Sequence, residues 1–382
     1  MSDAGRSGIV ARRRVAIVAS DAGCLLRYRG PLLKAIAERG HQILALSARA
    51  EPTDVEALKL LGASHAEFAM KRGGLRAIAD RSAIARLRVS LTGWGPNVVL
   101  GIGLKPMVMA AIAARRLETT RTVLIAPSIS GLGAASRERL SFGERWLLRR
   151  ALVNADALVV YNPEDQEALR TLGAVPPELA VVVQPGAGVD LVRFAPKPMP
   201  DLAEGLVFTM IATRDPAKGL FEFIEAARRT KLRVPKARFV LATSGLGDAG
   251  GQAGFDLTKV PAEIELASAG DTPALLVATH VFVLPSHSEG FAQGVAEALA
   301  CGRPAITSDI AGCRGIVDER VSGVLVPPKD AVALGSAIDS FLRRPDDINW
   351  MGQAARRKAE RRFDVRAVNA ELLDMMDLAG GA

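Results

Sequence analysis

Residues 281 to 298 read VFVLPSHSEGFAQGVAEA, and the fold can be worked out from this stretch. The apolar run Val281–Leu284 predicts a buried strand, and the run Val295–Ala300 predicts a helix. A strand, a glycine-containing turn and a helix in that order indicate one unit of an α/β sheet. Glu289 then lies on the loop at the carboxyl edge of the strand, where open α/β sheets bind ligands, and Glu297 lies inside the following helix.

The turn between these two carboxylates has the chemistry of a ligand site. Its glycines, Gly290 and Gly294, leave N–H groups at the start of the helix available for a phosphate. Two carboxylates on either side of such a cradle suit a ligand with hydroxyls on both sides of a diphosphate, and a nucleotide sugar is a ligand of that kind. His287 lies in the same loop and could also hydrogen-bond the ligand.

The same alternation of strands and helices runs through the whole chain. Strand-like runs occur at Val15–Ala19, Gln42–Leu46, Val98–Gly101, Thr122–Ile125, Ala157–Val160, Ala180–Val183, Val207–Ile211, Arg238–Ala242, Ile264–Leu266, Val281–Leu284, Pro304–Thr307 and Gly323–Val326. Helical patterns, such as Leu32–Arg39, separate most of them. This order predicts an α/β fold of two doubly wound, Rossmann-like domains whose parallel sheets face a central cleft.

The proline-rich segment Arg193–Pro200 marks the boundary, because three prolines in five residues make a stiff, extended connector. The predicted organisation is a first domain over residues 1–192, a linker over 193–203 and a second domain over 204–365. A helix over 366–382 completes the chain and could cross back to the first domain.

Composition restricts the partners and the cellular compartment. The net charge of +8 suggests an acidic partner such as an anionic membrane, a pyrophosphate substrate or nucleic acid, although solvated arginines explain it equally well. Aromatic residues make up only 4% of the chain, which argues against nucleic acid. We find no apolar run of membrane-spanning length, no disulfide framework among the three cysteines and no metal-ligand spacing. The sequence therefore predicts a cytoplasmic protein without a metal or other cofactor.

Several further motifs have both a functional and a structural interpretation. Gly23 follows the first strand and could approach a phosphate, or belong to a plain turn. Lys218 precedes a helix and could meet phosphate oxygens, with Arg214 close by, although most single lysines are simply solvated. The G-x-G-x-x-G motif at residues 245–250 is interpreted as a loop, since no helix opens after it. Basic helical segments within 71–88 and 137–150 suggest contact with an anionic membrane.

The segment from Glu289 to Glu297, with its continuation through residues 298–306 and 323–328, resembles the retaining glycosyltransferases of family 4, which have the GT-B fold. The Gly-x-Gly-Val-Asp run at 186–190 is similar to the family segment before the interdomain linker. Residues 105–106, 130–133, 162–165 and 312–314 resemble the subgroup that builds polysaccharides and lipid-linked glycans. The resemblance covers nearly the whole chain.

The resemblance implies a role for each candidate residue. Glu289 would face the hydroxyls of the donor sugar, Glu297 would bind the ribose, and Lys218 would neutralise the diphosphate leaving group in place of a metal ion. The remaining donor-site residues would be Gly290, Phe291, Ala292, Arg214, Gly23 and His287. Lys105 and Ser130 are assigned to the acceptor site or cleft.

Three positions depart from the family pattern. Thr213 occupies the position of the usual arginine before the lysine, so that Arg214 comes one residue late. The histidine that many members carry in the N-terminal domain has no clear equivalent, and Ala292 stands where proline is frequent. A shifted loop could bring Arg214 to the phosphates; otherwise activity would be weakened.

The resemblance implies a retaining, metal-independent hexosyltransferase with an N-terminal acceptor domain and a C-terminal nucleotide-sugar domain. A UDP-sugar would be the donor, and a glycan on polyprenyl diphosphate at the inner face of the cell membrane would be the acceptor. Two alternatives remain open at this point: a nucleotide-sugar epimerase of the same fold, and a catalytically degraded partner protein.

Overall fold

The computed structural model describes residues 12–70, 81–117, 120–128, 141–243 and 255–379. The chain divides into two compact units, one formed by residues up to 187 together with those from 366 onward, and the other by residues 188–365. The segment from residue 366 therefore groups with the first unit, and the proline-rich segment groups with the second.

The first unit is built on a seven-stranded parallel sheet with the order β3-β2-β1-β4-β5-β6-β7. Its strands are β1 Arg14–Ala19, β2 Gln42–Ser47, β3 Ala63–Glu67, β4 Val98–Ile102, β5 Arg121–Ala126, β6 Ala157–Val160 and β7 Ala180–Val183. Its helices are α1 Ala22–Glu38, α2 Pro52–Leu60, α3 Arg81–Trp94, α4 Leu104–Ala114, α5 Phe142–Leu152, α6 Pro163–Thr171 and, from the end of the chain, α13 Val365–Met375.

The second unit is built on a six-stranded parallel sheet with the order β10-β9-β8-β11-β12-β13. Its strands are β8 Val207–Ile211, β9 Arg238–Thr243, β10 Ile264–Ser268, β11 Val281–Leu284, β12 Ala305–Ser308 and β13 Gly323–Val326. Its helices are α7 Leu220–Arg233, α8 Thr272–Val277, α9 Gln293–Ala300, α10 Ala311–Arg314, α11 Ala331–Arg343 and α12 Asp347–Arg362.

Strand β1 shows why the sheets are covered on both faces. Side chains alternate across a strand, so Val15 and Ile17 enter one apolar cluster while Ala16 and Val18 enter another. All four are fully buried. Continuous apolar strands of this kind are typical of parallel sheets with helices on both sides. The predicted fold class, two doubly wound domains with parallel sheets, is confirmed.

In each sheet the strand order reverses direction once, between β1 and β4 in the first unit and between β8 and β11 in the second. The carboxyl ends of the two strands at such a switch point open a crevice, because the following helices leave on opposite faces. The loops after β8 and β11 are therefore the expected place for a ligand in the second unit, and those after β1 and β4 in the first.

Strand β3 and helix α1 are two of the elements that differ from the sequence-based prediction. The edge strand β3 reads ASHAE and is largely uncovered, so it lacks the apolar signal of the inner strands. Helix α1 begins at Ala22 and not at Leu32, because Asp21 caps it by accepting a hydrogen bond from the Cys24 amide at 2.9 Å. Its glycines and the internal Pro31 weaken the helical pattern but do not end the helix.

The proline-rich segment is held against the second unit by a buried arginine. Arg303 is 1% exposed, and its guanidinium donates to the carbonyls of Lys197 and Pro198, each at 3.1 Å. It also donates to the carbonyls of Leu276 and Val277, at 3.0 and 2.9 Å. The segment is thus hydrogen-bonded to the second unit at residues 197 and 198.

The two ends of the second unit are paired with each other. The amide of Val189 donates to the carbonyl of Phe363, and the amide of Val365 donates to the carbonyl of Val189 at 3.0 Å. Gly188 has a φ of +77°, and a Cβ added there would lie 2.6 Å from the Cα of Val365, so the pairing requires glycine at this position. The chain enters and leaves the unit side by side.

Candidate active site

The two residues predicted to be catalytic lie in direct contact at the switch point of the second sheet. Lys218, in the loop after β8, places its Nζ 2.7 Å from Oε1 of Glu289, in the loop after β11. The Ser286 hydroxyl donates to the same oxygen at 2.9 Å. The Lys218 side chain is 28% exposed and the Glu289 side chain 12%, so this ion pair is shielded but still reachable. A cation and a carboxylate are thereby fixed side by side where a ligand would bind.

The position of Lys218 follows from a short, capped turn. Residues Pro216–Lys218 form a single 3-10 turn, and the carboxylate of Asp215 caps it by accepting from the Ala217 amide at 2.9 Å. Gly219 then takes a φ of +81° and starts α7. A Cβ at this position would lie 2.1 Å from the carbonyl oxygen of Pro285, so only glycine lets the two loops meet.

The short helix α10, which follows β12, also packs against Glu289. Gly312 lies so close that a Cβ there would be 2.3 Å from the carbonyl oxygen of Glu289. Its own carbonyl accepts a hydrogen bond from the Ala292 amide at 3.0 Å. Since β8, β11 and β12 are neighbours in the sheet, their carboxyl-end loops converge on Glu289.

Glu297, the second carboxylate of the opening motif, lies half-buried in α9 and is linked to its neighbour one turn earlier. The side-chain amide of Gln293 donates to Oε1 of Glu297 at 3.3 Å and to the carbonyl of Gly188 at 2.8 Å. A hydrogen-bonded carboxylate on the first turns of a helix is suited to accept hydrogen bonds from vicinal hydroxyls.

The turn before α9 is less open than the sequence suggests. The amide of Ala292 donates to Gly312, and the amide of Gln293 donates to the carbonyl of Phe291 at 2.9 Å. Both amides are therefore engaged within the protein. Gly290 and Ala292 are buried, and the ring of Phe291 packs edge-on against Phe363 at 5.8 Å. A phosphate at this turn would have to compete for these donors, so that the positive charge of Lys218 becomes the stronger attraction.

His287 has a partner that sequence reasoning did not identify. Its Nε2 lies 2.9 Å from Oε1 of Glu222, on the first turn of α7, and its amide donates to the carbonyl of Ala217 at 2.8 Å. The other carboxylate oxygen of Glu222 is buried without a hydrogen-bond partner among the described residues. His287 thus joins the loops after β8 and β11. Three residues of this site, Glu222, Ser286 and Gln293, were missed, and only their positions beside Lys218, Glu289 and Glu297 could have indicated them.

The remaining candidates have less definite surroundings. Arg214 is half-buried, and its carbonyl accepts from the Phe255 amide at 2.7 Å, while Thr213 is exposed. Lys105 lies at the start of α4, immediately after β4. Its placement agrees with the switch point of the first sheet. Ser130 and the glycine motif at 245–250 lie outside the described residues.

Gly23 lies in the first turn of α1, after β1, as the sequence indicates. Its neighbours are acidic, because a Cβ added there would lie 3.3 Å from a carboxylate oxygen of Asp21 and 3.4 Å from both carboxylate oxygens of Asp54. Two negative charges weigh against a diphosphate at this turn, and the assignment of Gly23 to the donor site stays a prediction.

Cys313 and Cys301 lie next to this site without offering a nucleophile. Burial raises the pKa of Cys313 to about 12, and the Thr307 hydroxyl donates to its sulfur at 3.1 Å. Burial likewise raises the pKa of Cys301 to about 11. Both are fully buried and remain thiols near neutral pH, so neither offers an accessible nucleophile.

Two features are absent from the described parts of the chain: a cluster of metal ligands and a membrane-spanning helix. No group of three or more histidine, cysteine, aspartate or glutamate residues there is arranged to hold a metal ion. No helix within those same ranges is long and apolar enough to cross a membrane.

Two family models match the chain, and together they span most of it. The family described as glycosyl transferases group 1 matches residues 200–358, and the glycosyl transferase 4-like domain matches residues 25–186. The first match includes Lys218, Glu289 and Glu297, so the ion pair and the ribose-binding candidate belong to the part of the chain that this family describes.

Among curated proteins, a UDP-Gal:alpha-D-GlcNAc-diphosphoundecaprenol alpha-1,3-galactosyltransferase of Escherichia coli is 29% identical over 61% of this chain and 62% of its own length. The chain thus spans less than two thirds of that relative. An N,N'-diacetylbacillosaminyl-diphospho-undecaprenol alpha-1,3-N-acetylgalactosaminyltransferase of Campylobacter jejuni is 24% identical over 86% of this chain and 89% of its own length.

The fold is similar to that of several solved structures. A sucrose-phosphate synthase of Thermosynechococcus elongatus superposes with a TM-score of 0.76 at 18% identity, covering 96% of this chain and 98% of that one. Anabaena HepE in complex with UDP and glucose superposes with a TM-score of 0.72 at 17% identity, covering 96% of this chain and all of that one. These likenesses establish the architecture of both units.

Proposed function

Since the chain belongs to the group 1 glycosyltransferases, with a glycosyl transferase 4-like N-terminal domain and the GT-B fold, we propose that it transfers a sugar from a UDP-sugar to a lipid-linked glycan, with retention of configuration. The observation that carries the proposal is the contact between Lys218 and Glu289 at the switch point of the second sheet. The donor and acceptor classes are taken from the two relatives, whose names specify diphosphoundecaprenol acceptors and, for one, UDP-Gal as donor.

Lys218 would act on the leaving group. Negative charge grows on the diphosphate as the bond to the sugar breaks, and a fixed cation aimed at it lowers the barrier. On donor binding, Lys218 would exchange its contact with Glu289 for the phosphates, which is a step that needs no metal ion. Arg214, four residues earlier, would add a second positive charge.

Glu289 would meet the hydroxyls of the donor sugar once Lys218 has turned to the phosphates. The Ser286 hydroxyl holds Oε1 from the other side, so the carboxylate would keep its position during that exchange. Glu297 would bind the ribose hydroxyls, with Gln293 restricting its rotamer. The donor would thus be held at the sugar, the diphosphate and the ribose by the loops after β11 and β8 and by helix α9.

The acceptor would be a growing cell-surface glycan carried on polyprenyl diphosphate. Such an acceptor is anchored in a membrane, and the enzyme would meet it at the cytoplasmic face. Lys105, in the first turn of α4 after β4, would contact the acceptor in that unit.

The two alternatives are less well supported. Both relatives described above are transferases, which does not favour a nucleotide-sugar epimerase. A degraded partner protein would have no need to preserve the contact of Lys218 with Glu289 and the glycines that allow it.

A donor assay tests the proposal. Release of the nucleoside diphosphate should depend on the presence of acceptor. Lys218→Ala and Glu289→Ala should each slow this release by about 100-fold or more, as for the loss of one stabilising group at a transition state. The matched control is Lys231→Ala and Glu225→Ala, two residues of α7 whose side chains pair away from the site. Transfer by the first two variants at the rate of these controls would refute the assignment.

A further inference from the structure

Helix α5 carries an aromatic and basic surface that nothing in the first unit covers among the described residues. Its outward face consists of Phe142, Arg145, Trp146, Arg149, Arg150 and Val153, which recur at helical spacing along one side. The opposite side, with Leu147, Leu148, Ala151 and Leu152, is buried in the core. Phe142 is 80% exposed, Trp146 52% and Val153 58%. Large apolar side chains at this exposure and this spacing mark an interaction surface.

The charge on this face has one sign. The helix has a single acidic residue, Glu144, and its carboxylate is engaged by the amide and hydroxyl of Ser141, at 3.0 and 2.9 Å, in a capping box. The guanidinium of Arg150 lies 5.2 Å from the centre of the Trp146 ring, so a cation is stacked on the exposed aromatic.

The neighbouring helices continue the pattern. Helix α4 packs against both α3 and α5, and neither α3 nor α4 contains an acidic residue. On α3, Arg81 and Arg86 are exposed and Val89 is 72% exposed. Arg88 links α3 to α4 by donating to the carbonyl of Ile112 at 3.3 Å. Three adjacent helices on one side of the sheet thus form a basic layer with apolar side chains standing out of it.

We propose that the outward face of α5 docks on the surface of an anionic lipid bilayer. Tryptophan and phenylalanine insert at the boundary between headgroups and acyl chains, while arginines meet the lipid phosphates beside them. A second copy of this chain is the poorer partner, because a symmetric contact would place three arginines against three. The proposed function enters only in the choice of a bilayer among anionic surfaces, since a lipid-linked acceptor is found there.

Vesicle binding by the full-length protein tests this without donor or acceptor. Sedimentation with vesicles of phosphatidylglycerol and phosphatidylcholine is compared with sedimentation with phosphatidylcholine alone. The variant with Arg145→Gln, Arg149→Gln and Arg150→Gln should bind the anionic vesicles roughly 100-fold more weakly, because each basic residue near such a surface contributes about fivefold and the three contributions multiply. The double variant Trp146→Ala, Phe142→Ala should weaken binding to the anionic vesicles at low and at high salt alike, since salt does not screen the apolar contribution of these two side chains.

Helix α12 supplies a matched control. It carries Trp350, which is 45% exposed, and three exposed arginines, Arg357, Arg361 and Arg362, but its tryptophan donates to Asp347 at 3.1 Å and the helix also carries Glu360. Changing these three arginines to glutamine removes the same charge and should leave vesicle binding within about twofold of the wild type, because Asp347 and Glu360 on the same helix oppose its attraction to an anionic surface and Trp350 is held by Asp347.

A second measurement leaves α5 intact. With Trp94→Phe and Trp350→Phe, Trp146 is the only tryptophan of the chain, and its emission should shift to shorter wavelength on anionic vesicles and not on neutral ones. Three outcomes would overturn the proposal. The emission of Trp146 would not shift, or the α5 and α12 variants would lose vesicle binding equally. In the third outcome the α5 variant would keep vesicle binding and instead lose dimers or the binding of single-stranded DNA. Transfer to a short water-soluble acceptor, assayed separately, should be unaffected by the α5 changes; its failure in the wild type would count against the proposed function and leave the vesicle result standing.

Discussion

Gly219→Ala is the change most directly connected to the assembly of the site. Gly219 has a φ of +81°, and an added Cβ would lie 2.1 Å from the carbonyl oxygen of Pro285. The added Cβ is fixed on the backbone and the Pro285 oxygen belongs to the backbone, so no side-chain rotation relieves the contact. The loop that carries Lys218 would have to move away from the loop that carries Glu289.

The expected magnitude has two parts. A left-handed conformation costs a residue with a Cβ roughly 1–2 kcal/mol, and forcing an extra carbon into a packed region costs roughly 1–3 kcal/mol. Gly302→Ala separates them, because Gly302 lies in the same unit with a φ of +72° but its nearest contact would be an ordinary 3.6 Å from Pro196. We expect about 1–2 kcal/mol for Gly302→Ala and about 2–5 kcal/mol for Gly219→Ala, as the sum of the two parts.

In a background with Trp94→Phe and Trp146→Phe, denaturant unfolding followed by the fluorescence of Trp350 measures this, since both replaced tryptophans belong to the first unit. Sugar transfer should fall at least tenfold in Gly219→Ala and stay near the wild-type rate in Gly302→Ala, because only the former separates Lys218 from Glu289. Equal destabilisation by the two changes, with transfer preserved in both, would refute the argument that close packing at Gly219 aligns the site.

Three further predictions follow from described contacts. Ser286→Ala removes one hydrogen bond to Glu289 and should lower kcat/KM about fivefold, corresponding to about 1 kcal/mol. Steady-state kinetics measure this against Ser288→Ala, a change at an exposed neighbour, and an equal kcat/KM in the two variants would contradict it. Burial raises the pKa of Cys313 from its ordinary 9.0 to about 12, so between these pH values the folded protein keeps a proton that the unfolded chain releases. The stability it contributes is therefore complete below about pH 9 and declines as the pH rises toward 12, and Cys313→Ala should make the unfolding free energy less dependent on pH in that window; an unchanged slope would count against it. Arg303→Met leaves the carbonyls of residues 197 and 198 without their donor and should destabilise the second unit by about 3–5 kcal/mol, whereas Arg357→Met, at an exposed position, should change the unfolding free energy by less than about 0.5 kcal/mol.

The parts of the fold that sequence reasoning predicted are those with strong local patterns. Strands such as β6, β8 and β11 are short, apolar and bounded by turns, and their limits agree with the predicted ones. Strand β3 lies at the edge and is only partly covered, so its sequence has no apolar period to detect. The helix predicted in this region is shorter than α1, because Gly23, Gly30 and Pro31 are locally unfavourable in a helix. Packing against the sheet keeps the full helix intact.

The site shows the same division between local and long-range information. Glu289 and Glu297 belong to one continuous motif, and Lys218 could be placed because it follows a strand and precedes a helix. The partners Glu222 and His287 are 65 residues apart, and Gln293 and Gly188 are 105 apart, so no local pattern joins them. Their contacts depend on the order of the strands in the sheet, which the sequence does not state.

The hydrogen bonds of Arg303 to residues 197 and 198 have a consequence for chimaeric enzymes. If the second unit were exchanged between relatives at the end of the proline-rich segment, this guanidinium would be buried against a foreign backbone, whereas a cut between residues 187 and 188 carries its acceptors along. The second cut belongs after residue 365, so that the paired entry and exit of the chain move together. Recombination at those two points exchanges residues 188–365 together with the hydrogen-bond partners of Arg303 and the paired ends of the unit.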